Sequence, residues 1–268
     1  MPRSAECPNG CYIIGPWAAF RGALNHGARN TAAEWACIAH PHSLIVIKVE
    51  LFMGLVIALN KGRIFEECLP LLAACQIQPS DDPKKSRKLI FDSVTGGHKI
   101  IVARSADVPT YVENGVADVG ITGKDTILEY GENMTFYERL DLKIGACRMM
   151  TAGPVGVPEP EQGIRVASKF VNIARRYYQG QSKQVSLVKL SGALEIAPLL
   201  GLADCIVDIV DTGNTLKANG LEARETICDI STRLIVNRAS MKTKFDQVQT
   251  LIQQLERAVS ENASAAQS

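Results

Sequence analysis

Two hydroxyls, a side-chain amide and a glycine stand together at Asp211-Thr212-Gly213-Asn214-Thr215. They follow the apolar run 205–210, of the kind that fills a buried strand, and open α/β sheets place ligands at the carboxyl ends of such strands. Gly213 lets the backbone come close to a ligand. Successive N–H groups with the Thr212 and Thr215 hydroxyls are the parts of a phosphate cradle. Asp208 and Asp211 do not suit a bare anion; they suit sugar hydroxyls or a magnesium ion beside the phosphate. Together these groups describe a site for an activated sugar phosphate. The same residues also read as a polar turn with helix-capping side chains, because Asp, Thr, Gly and Asn favour turns on their own account.

Three earlier strand-to-helix turns carry groups of matching chemistry. Lys61-Gly62-Arg63 follows a strand at 55–59 and opens a helix whose apolar residues Ile64, Cys68, Leu71, Leu72 and Cys75 recur at helical spacing. A cationic pair there makes an anion-binding corner, or a solvated turn. Arg104 follows a strand at 99–103, and Asp107 and Pro109 suit the helix start beyond it. Its guanidinium can fork onto a phosphate or join a surface ion pair. Thr122 and Gly123, after a strand at 116–121, can present a hydroxyl and a backbone N–H to a ligand, while Asp125 either caps the next helix or touches the ligand.

The elements that must position these turns can be read from periodicity. A helix with Leu194, Ile196, Leu199 and Leu200 on one face, stopped by Gly201, precedes the strand 205–210. Further back, 142–150 reads as a strand leaving a first domain, 164–167 and 185–189 as strands, and 170–178 as a helix with Arg175 and Arg176 on its wet side. Residues 225–229 lead into a strand at 233–237 that returns to the first domain. Phe245, Val248, Leu251, Ile252, Leu255 and Val259 then mark a terminal amphipathic helix, whose stripe needs a partner in this chain or another subunit. Strands alternating with helices imply parallel sheets.

The 268 residues suffice for one large domain or two small ones, and the net charge of +1 gives no reason to invoke nucleic acid or an anionic membrane. Eight cysteines without a Cys-x-x-Cys pair read as reduced thiols, which with the absence of an export signal points to the cytoplasm. Cys7, Cys11, Cys37, His40 and His42 do not have the spacing of a structural zinc site. The most apolar region, 44–59, is short for a bilayer and is interrupted by Lys48 and Glu50. The run 11–20 contains Gly15 and Pro16 and lacks a signal-peptide cleavage site.

The wider pattern is more specific than any single turn. Glu195, Gly201, Ala203, Ile206, Asp208, Ile209, Thr212, Gly213, Thr215 and Leu216 occur in an order and spacing that resemble the signature of ATP phosphoribosyltransferases. The likeness extends over 54–239 through Ala58-Leu59-Asn60-Lys61-Gly62-Arg63 and Asp118-Val119-Gly120-Ile121-Thr122-Gly123-Lys124-Asp125. It implies an α/β, two-lobed fold like the type II periplasmic-binding proteins, with a ligand cleft between the lobes. Lobe I would take 53–142 plus 231–268, lobe II 143–230. Residues 1–52 fall outside the resemblance, and Met53 is the expected start of the family's chain, 1–52 being an extension of unknown role.

The resemblance further implies condensation of ATP with 5-phosphoribosyl 1-pyrophosphate, the first step of histidine biosynthesis. Glu195, Asp208, Asp211, Thr212, Gly213, Asn214, Thr215 and Leu216 would hold the phosphoribosyl pyrophosphate. Lys61, Gly62, Arg63, Arg104, Thr122, Gly123 and Asp125 would serve ATP and pyrophosphate. Magnesium would travel on the substrate rather than on protein ligands, and no residue presents itself as a general base. The length matches the short form of the family, which implies a homodimeric core unit and a regulatory partner similar to histidyl-tRNA synthetase.

Overall fold

The structure, a computed structural model, describes the strands β1 (Ala33–His40) and β2 (Ser43–Glu50) and then residues 54–83 and 85–265. The expected start at Met53 and the side chains of Cys7, Cys11, Cys37, His40 and His42 lie outside the described residues. The chain divides into compact units at 1–51 and 52–268. In the first, β1 and β2 pair antiparallel as a hairpin, from Ala33 opposite Glu50 to His40 opposite Ser43. All that follows concerns the second.

That unit runs β3 (Val56–Asn60), α1 (Arg63–Ala74), β4 (Ile90–Asp92), β5 (Lys99–Ala103), α2 (Val108–Glu113), β6 (Val119–Gly123), α3 (Lys124–Tyr130) and β7 (Phe136–Asp141). Then come β8 (Cys147–Pro154), β9 (Ile164–Ser168), α4 (Val171–Gly180), β10 (Val185–Lys189), α5 (Ile196–Leu199), β11 (Cys205–Val210), α6 (Asn214–Ala218) and β12 (Leu221–Ile230). It ends with β13 (Thr232–Asn237), α7 (Ser240–Thr243) and α8 (Phe245–Ala265). One sheet has the order β4-β5-β3-β6-β13-β7 and the other β10-β9-β11-β8-β12. In each, three parallel strands are followed by an antiparallel strand that has just crossed from the other sheet: β13 beside β6, and β8 beside β11. This shared order is that of the two-lobed type II periplasmic-binding-protein fold.

The sequence dictates these sheets through unbroken apolar runs that must be covered on both faces. Ile57 and Leu59 of β3 join one core with α1 and α8, and Ala58 between them joins another with Val108, Val112 and Ile127. In the second sheet Cys205 and Val207 pack with α4, while Ile206 packs with Ala197 and Leu216. The stripe of α8 therefore finds its partner in its own chain: Val248, Leu251, Ile252 and Leu255 are buried against α1 and the first sheet, and Phe245 alone of the six stays exposed. Cys68, Cys75, Cys147, Cys205 and Cys228 are free, and burial pushes the Cys68 thiol up to about 12, so they behave as small apolar groups. No described helix is long and apolar enough to cross a membrane.

Several local expectations are corrected. The helix expected to span 194–200 is the single turn α5; Pro198 within it has no N–H to donate, and Ile196, Leu199 and Leu200 are exposed while Leu194 is buried. The strand expected at 142–150 begins only at Cys147, and 142–146 is a linker between sheets. Arg176 is not on a wet face: its guanidinium donates to the Leu128 carbonyl of the other lobe. The edge strands β4, β7 and most of β12 were not legible, because each is short or carries charged residues along an edge.

Candidate active site

Two connections join the sheets, 142–146 and Ser231, and they are bonded to each other: Leu142 N donates to Thr232 O (2.9 Å) and Thr232 N to Ile144 O (3.0 Å). Ser231 Oγ donates to Asp141 Oδ1 at 2.9 Å, and Arg233 Nη2 lies 3.2 Å from Asp141 Oδ2. A second tie runs from α3 to α4. The Glu129 carboxylate accepts from the backbone N–H groups of Asn172 (2.9 Å) and Ile173 (3.1 Å), capping the α4 terminus across the lobe boundary. These ties fix one side of the cleft.

The carboxyl ends of β3 and β6 face that of β11 across it. Arg63 Nη1 donates to Asp211 Oδ2 at 3.0 Å, joining residues 148 positions apart. Its Nε lies 3.5 Å from Glu67 Oε1. Bonding to Asp211 raises the Arg63 pKa further, so the guanidinium is a permanent positive charge. Both partners are more than half exposed, at 58% and 56%, so water competes for the pair and it contributes little to stability. The contact sits open to solvent at the mouth of the cleft.

Behind this contact lies a cavity of ≈ 250 Å³ walled by both lobes. Lys61, Arg63, Gly123 and Asp125 line it, as the turn chemistry anticipated. Cys147, Ser231 and Thr232 also line it and were not anticipated. Their sequence context is a linker and a returning strand, which carries no local signal of a site. Thr232 Oγ1 is fully buried and has no hydrogen-bond partner among the described residues. Burial pushes the Asp125 pKa up, and its backbone N–H contacts and Lys169 oppose the shift. Asp125 stands in the first turn of α3, whose N-cap is Gly123, and its Oδ2 accepts from Thr126 Oγ1 at 3.4 Å while the side chain lines the cavity.

The other anticipated residues fall on the rim or behind it. In the β11–α6 loop Asp211, Thr212, Asn214 and Thr215 are exposed, and Leu216 is buried as the anchor of α6. Gly213 adopts φ 76°, ψ 5°, the left-handed region that glycine alone enters freely. The N–H groups of Thr212 and Gly213 have no acceptor among the described residues. Asp208 is partly buried with Oδ1 2.8 Å from Ile209 N. Burial first, then Glu195 and Asp125, push its pKa to about 6, while Lys169 holds it down. Lys169, which the sequence reading passed over at the β9–α4 turn, is thus the cation between two carboxylates of different lobes. Gly62 and Arg104 are exposed at strand ends outside the cavity wall. Thr122 is fully buried with its hydroxyl 3.5 Å from Ser105 O, so its side chain offers nothing to a ligand here.

Comparison with known proteins gives a consistent result. The ATP phosphoribosyltransferase family model matches residues 104–257. The chain is 58% identical over 211 residues to the ATP phosphoribosyltransferase of Saccharophagus degradans, covering 79% of this chain and 99% of that one. With the enzyme of the same name from Pseudomonas aeruginosa it shares 56% over 205 residues, 76% of this chain and 97% of the relative. Among solved structures it resembles the ATP phosphoribosyl transferase (HisG:HisZ) complex from Thermotoga maritima. There the TM-score is 0.69 at 33% identity, over 77% of this chain and 99% of that one.

Proposed function

Since the chain belongs to the ATP phosphoribosyltransferase family, and so condenses ATP with 5-phosphoribosyl 1-pyrophosphate in the first step of histidine biosynthesis, we propose how its cleft divides the work. The β11–α6 loop takes the 5-phosphate of the phosphoribosyl group, through the unpartnered N–H groups of Thr212 and Gly213 and the hydroxyls of Thr212 and Thr215. Asp208, Asp211 and Glu195 serve the ribose hydroxyls. Lys61, Arg63 and Arg104 serve the phosphates of ATP and the departing pyrophosphate, with backbone groups of Gly62 and Gly123. The observation that carries this reading is the Arg63–Asp211 contact, which brings the cationic turn of one lobe onto the sugar-phosphate loop of the other.

Adenine N1 attacks the anomeric carbon as pyrophosphate leaves. N1 is a weak nucleophile, so the rate comes from holding both substrates in line and from stabilising charge. Among the described residues no three His, Cys, Asp or Glu side chains converge on a metal site. Magnesium would act as a partner of the substrate phosphates, where it would neutralise the leaving group. We further propose a cytoplasmic location, a homodimeric core, and a regulatory subunit similar to histidyl-tRNA synthetase; the Thermotoga maritima relative was solved in a HisG:HisZ complex.

The test is to mix the purified protein with ATP and phosphoribosyl pyrophosphate and follow phosphoribosyl-ATP by ultraviolet absorbance, with and without magnesium and the synthetase-like subunit. Turnover that vanishes with chelator and returns with magnesium is expected. Full turnover in chelator would remove the metal from this account. Arg63→Ala should leave Tm within a few degrees, because an exposed pair contributes about 1 kcal/mol or less, yet lower kcat/KM about 10- to 100-fold. An unchanged kcat/KM would take Arg63 out of the site.

A further inference from the structure

We propose that Asp125 is a catalytic residue of the transfer: its carboxylate accepts a hydrogen bond from the adenine N6 amino group and opposes the positive charge that attack by N1 places on the ring. This rests on the base of ATP occupying the cleft cavity.

The cavity is suited to a base. Ile64, Ile209 and Ile230 give it apolar wall, and a few polar groups interrupt that wall, the usual make-up of a small-molecule site. Thr232 Oγ1, fully buried and without a partner among the described residues, belongs to a residue of that wall. A buried hydroxyl left unpaired costs about 1–3 kcal/mol, which a ring nitrogen or amino group of a bound base would recover. Of the described residues lining the cavity, Asp125 carries the sole carboxylate. It makes no ion pair among the described residues, unlike Asp118 and Asp141, which are held by Lys244 and Arg233. Its carboxylate folds back over Gly123, where a Cβ would sit 2.1 Å from Asp125 Oδ1 and push the side chain away.

The chemistry asks for a negative charge here. The N1 lone pair forms the bond to the anomeric carbon. The bond from that carbon to pyrophosphate breaks, and its electron pair leaves on the pyrophosphate oxygen. The adenine ring, neutral before attack, becomes an N1-substituted amidinium with its charge shared onto N6; the extra N6 proton is lost to water afterwards. A carboxylate beside N6 thus gains an interaction in the transition state that it lacks with ATP, which is the kind that accelerates. Burial already disfavours the Asp125 charge, so it has little solvation to lose when the cation forms. The other charged and titratable groups facing it are Lys169 and Asp208 of lobe II, Cys147 and Cys228 of the strands beyond, and Lys61 and Arg63 of the cavity wall.

Asp125→Asn keeps an acceptor and removes the charge. Single-turnover formation of phosphoribosyl-ATP should fall about 30-fold or more, with the Kd for ATP within about threefold. The amidinium of enzyme-bound phosphoribosyl-ATP, whose cationic and neutral forms differ in ultraviolet absorbance, should titrate about one unit lower in the variant than in the wild type. A purely structural role would not move that titration. A transfer rate within twofold of wild type overturns the proposal. Should the variant not fold, the wild type alone decides: its bound product must titrate above free phosphoribosyl-ATP, and an equal or lower value overturns the proposal. Cys147→Phe, with folding checked by its melt, fills the cavity and should abolish ATP binding. Unchanged binding there would show instead that the base lies elsewhere, a failure of the site reading that the Asp125→Asn rates alone would not reveal.

Discussion

Gly213→Ala is expected to lower kcat/KM for phosphoribosyl pyrophosphate by two orders of magnitude or more while the protein still folds. Gly213 sits at φ 76° between β11 and α6. An alanine held there costs about 1–2 kcal/mol, enough to lower Tm by a few degrees and not enough to unfold a domain of this size. The protein side has room, since the new Cβ would lie 3.8 Å from Val210 Cγ1 in ordinary contact. The damage therefore falls on the ligand side, where the methyl group and any relaxation of φ would turn the Thr212 and Gly213 N–H groups off the phosphate. Kinetics at varied phosphoribosyl pyrophosphate, with a melt beside them, separate the two effects. Wild-type kinetics with a lowered Tm would leave the loop as a structural turn and dismiss the cradle.

Asp208→Asn should make the protein more stable and less active at neutral pH. The Asp208 carboxyl is pushed from the ordinary aspartate value to about 6, chiefly by burial and then by Glu195. A folded-state pKa raised this far means the group favours folding when protonated. That contribution is fully present below pH ~4, the unfolded value, and is lost as pH rises through about 6. At pH 7 the ionised carboxylate thus costs stability on the order of 3 kcal/mol, which a neutral asparagine does not incur. Urea melts at pH 4.5 and 7.5 should show a variant's advantage that is clearly larger at the higher pH. The same substitution should reduce turnover about 100-fold if the carboxylate orders the ribose. A variant less stable than wild type at pH 7.5 would contradict the assigned environment.

The cationic turn and the sugar-phosphate loop were legible because each is a local device: an unbroken apolar run, then a turn whose residue types have few other uses. Lys61 and Arg63 after β3, and Asp211 to Thr215 after β11, could be marked without knowing what they face. The strands β5, β10 and β11 were delimited to within a residue for the same reason, since each is a short run made mostly of Val, Ile and Leu. The role of Arg104 was not decided by such signals, because a guanidinium at a strand end has the same sequence context whether or not it reaches the cavity.

By itself the sequence determined the alternation of strands and helices, and hence parallel sheets with ligand-binding strand ends. It also determined the chemistry offered at those ends. Only the tertiary structure decided which ends meet. Arg63 and Asp211 touch across 148 residues, and Thr232 and Cys147 reach the cavity because β8 and β13 each cross to the opposite sheet. Lys169 becomes a neighbour of Asp125 only once the lobes are tied at Glu129 and Ser231. Periodicity reports what a residue does to its own element, whereas burial and charge at the cleft are set by chain segments far away in sequence. The pKa shifts of Asp125 and Asp208 belong to that second kind of information: burial drives both, and each carboxylate feels a charge from the other lobe.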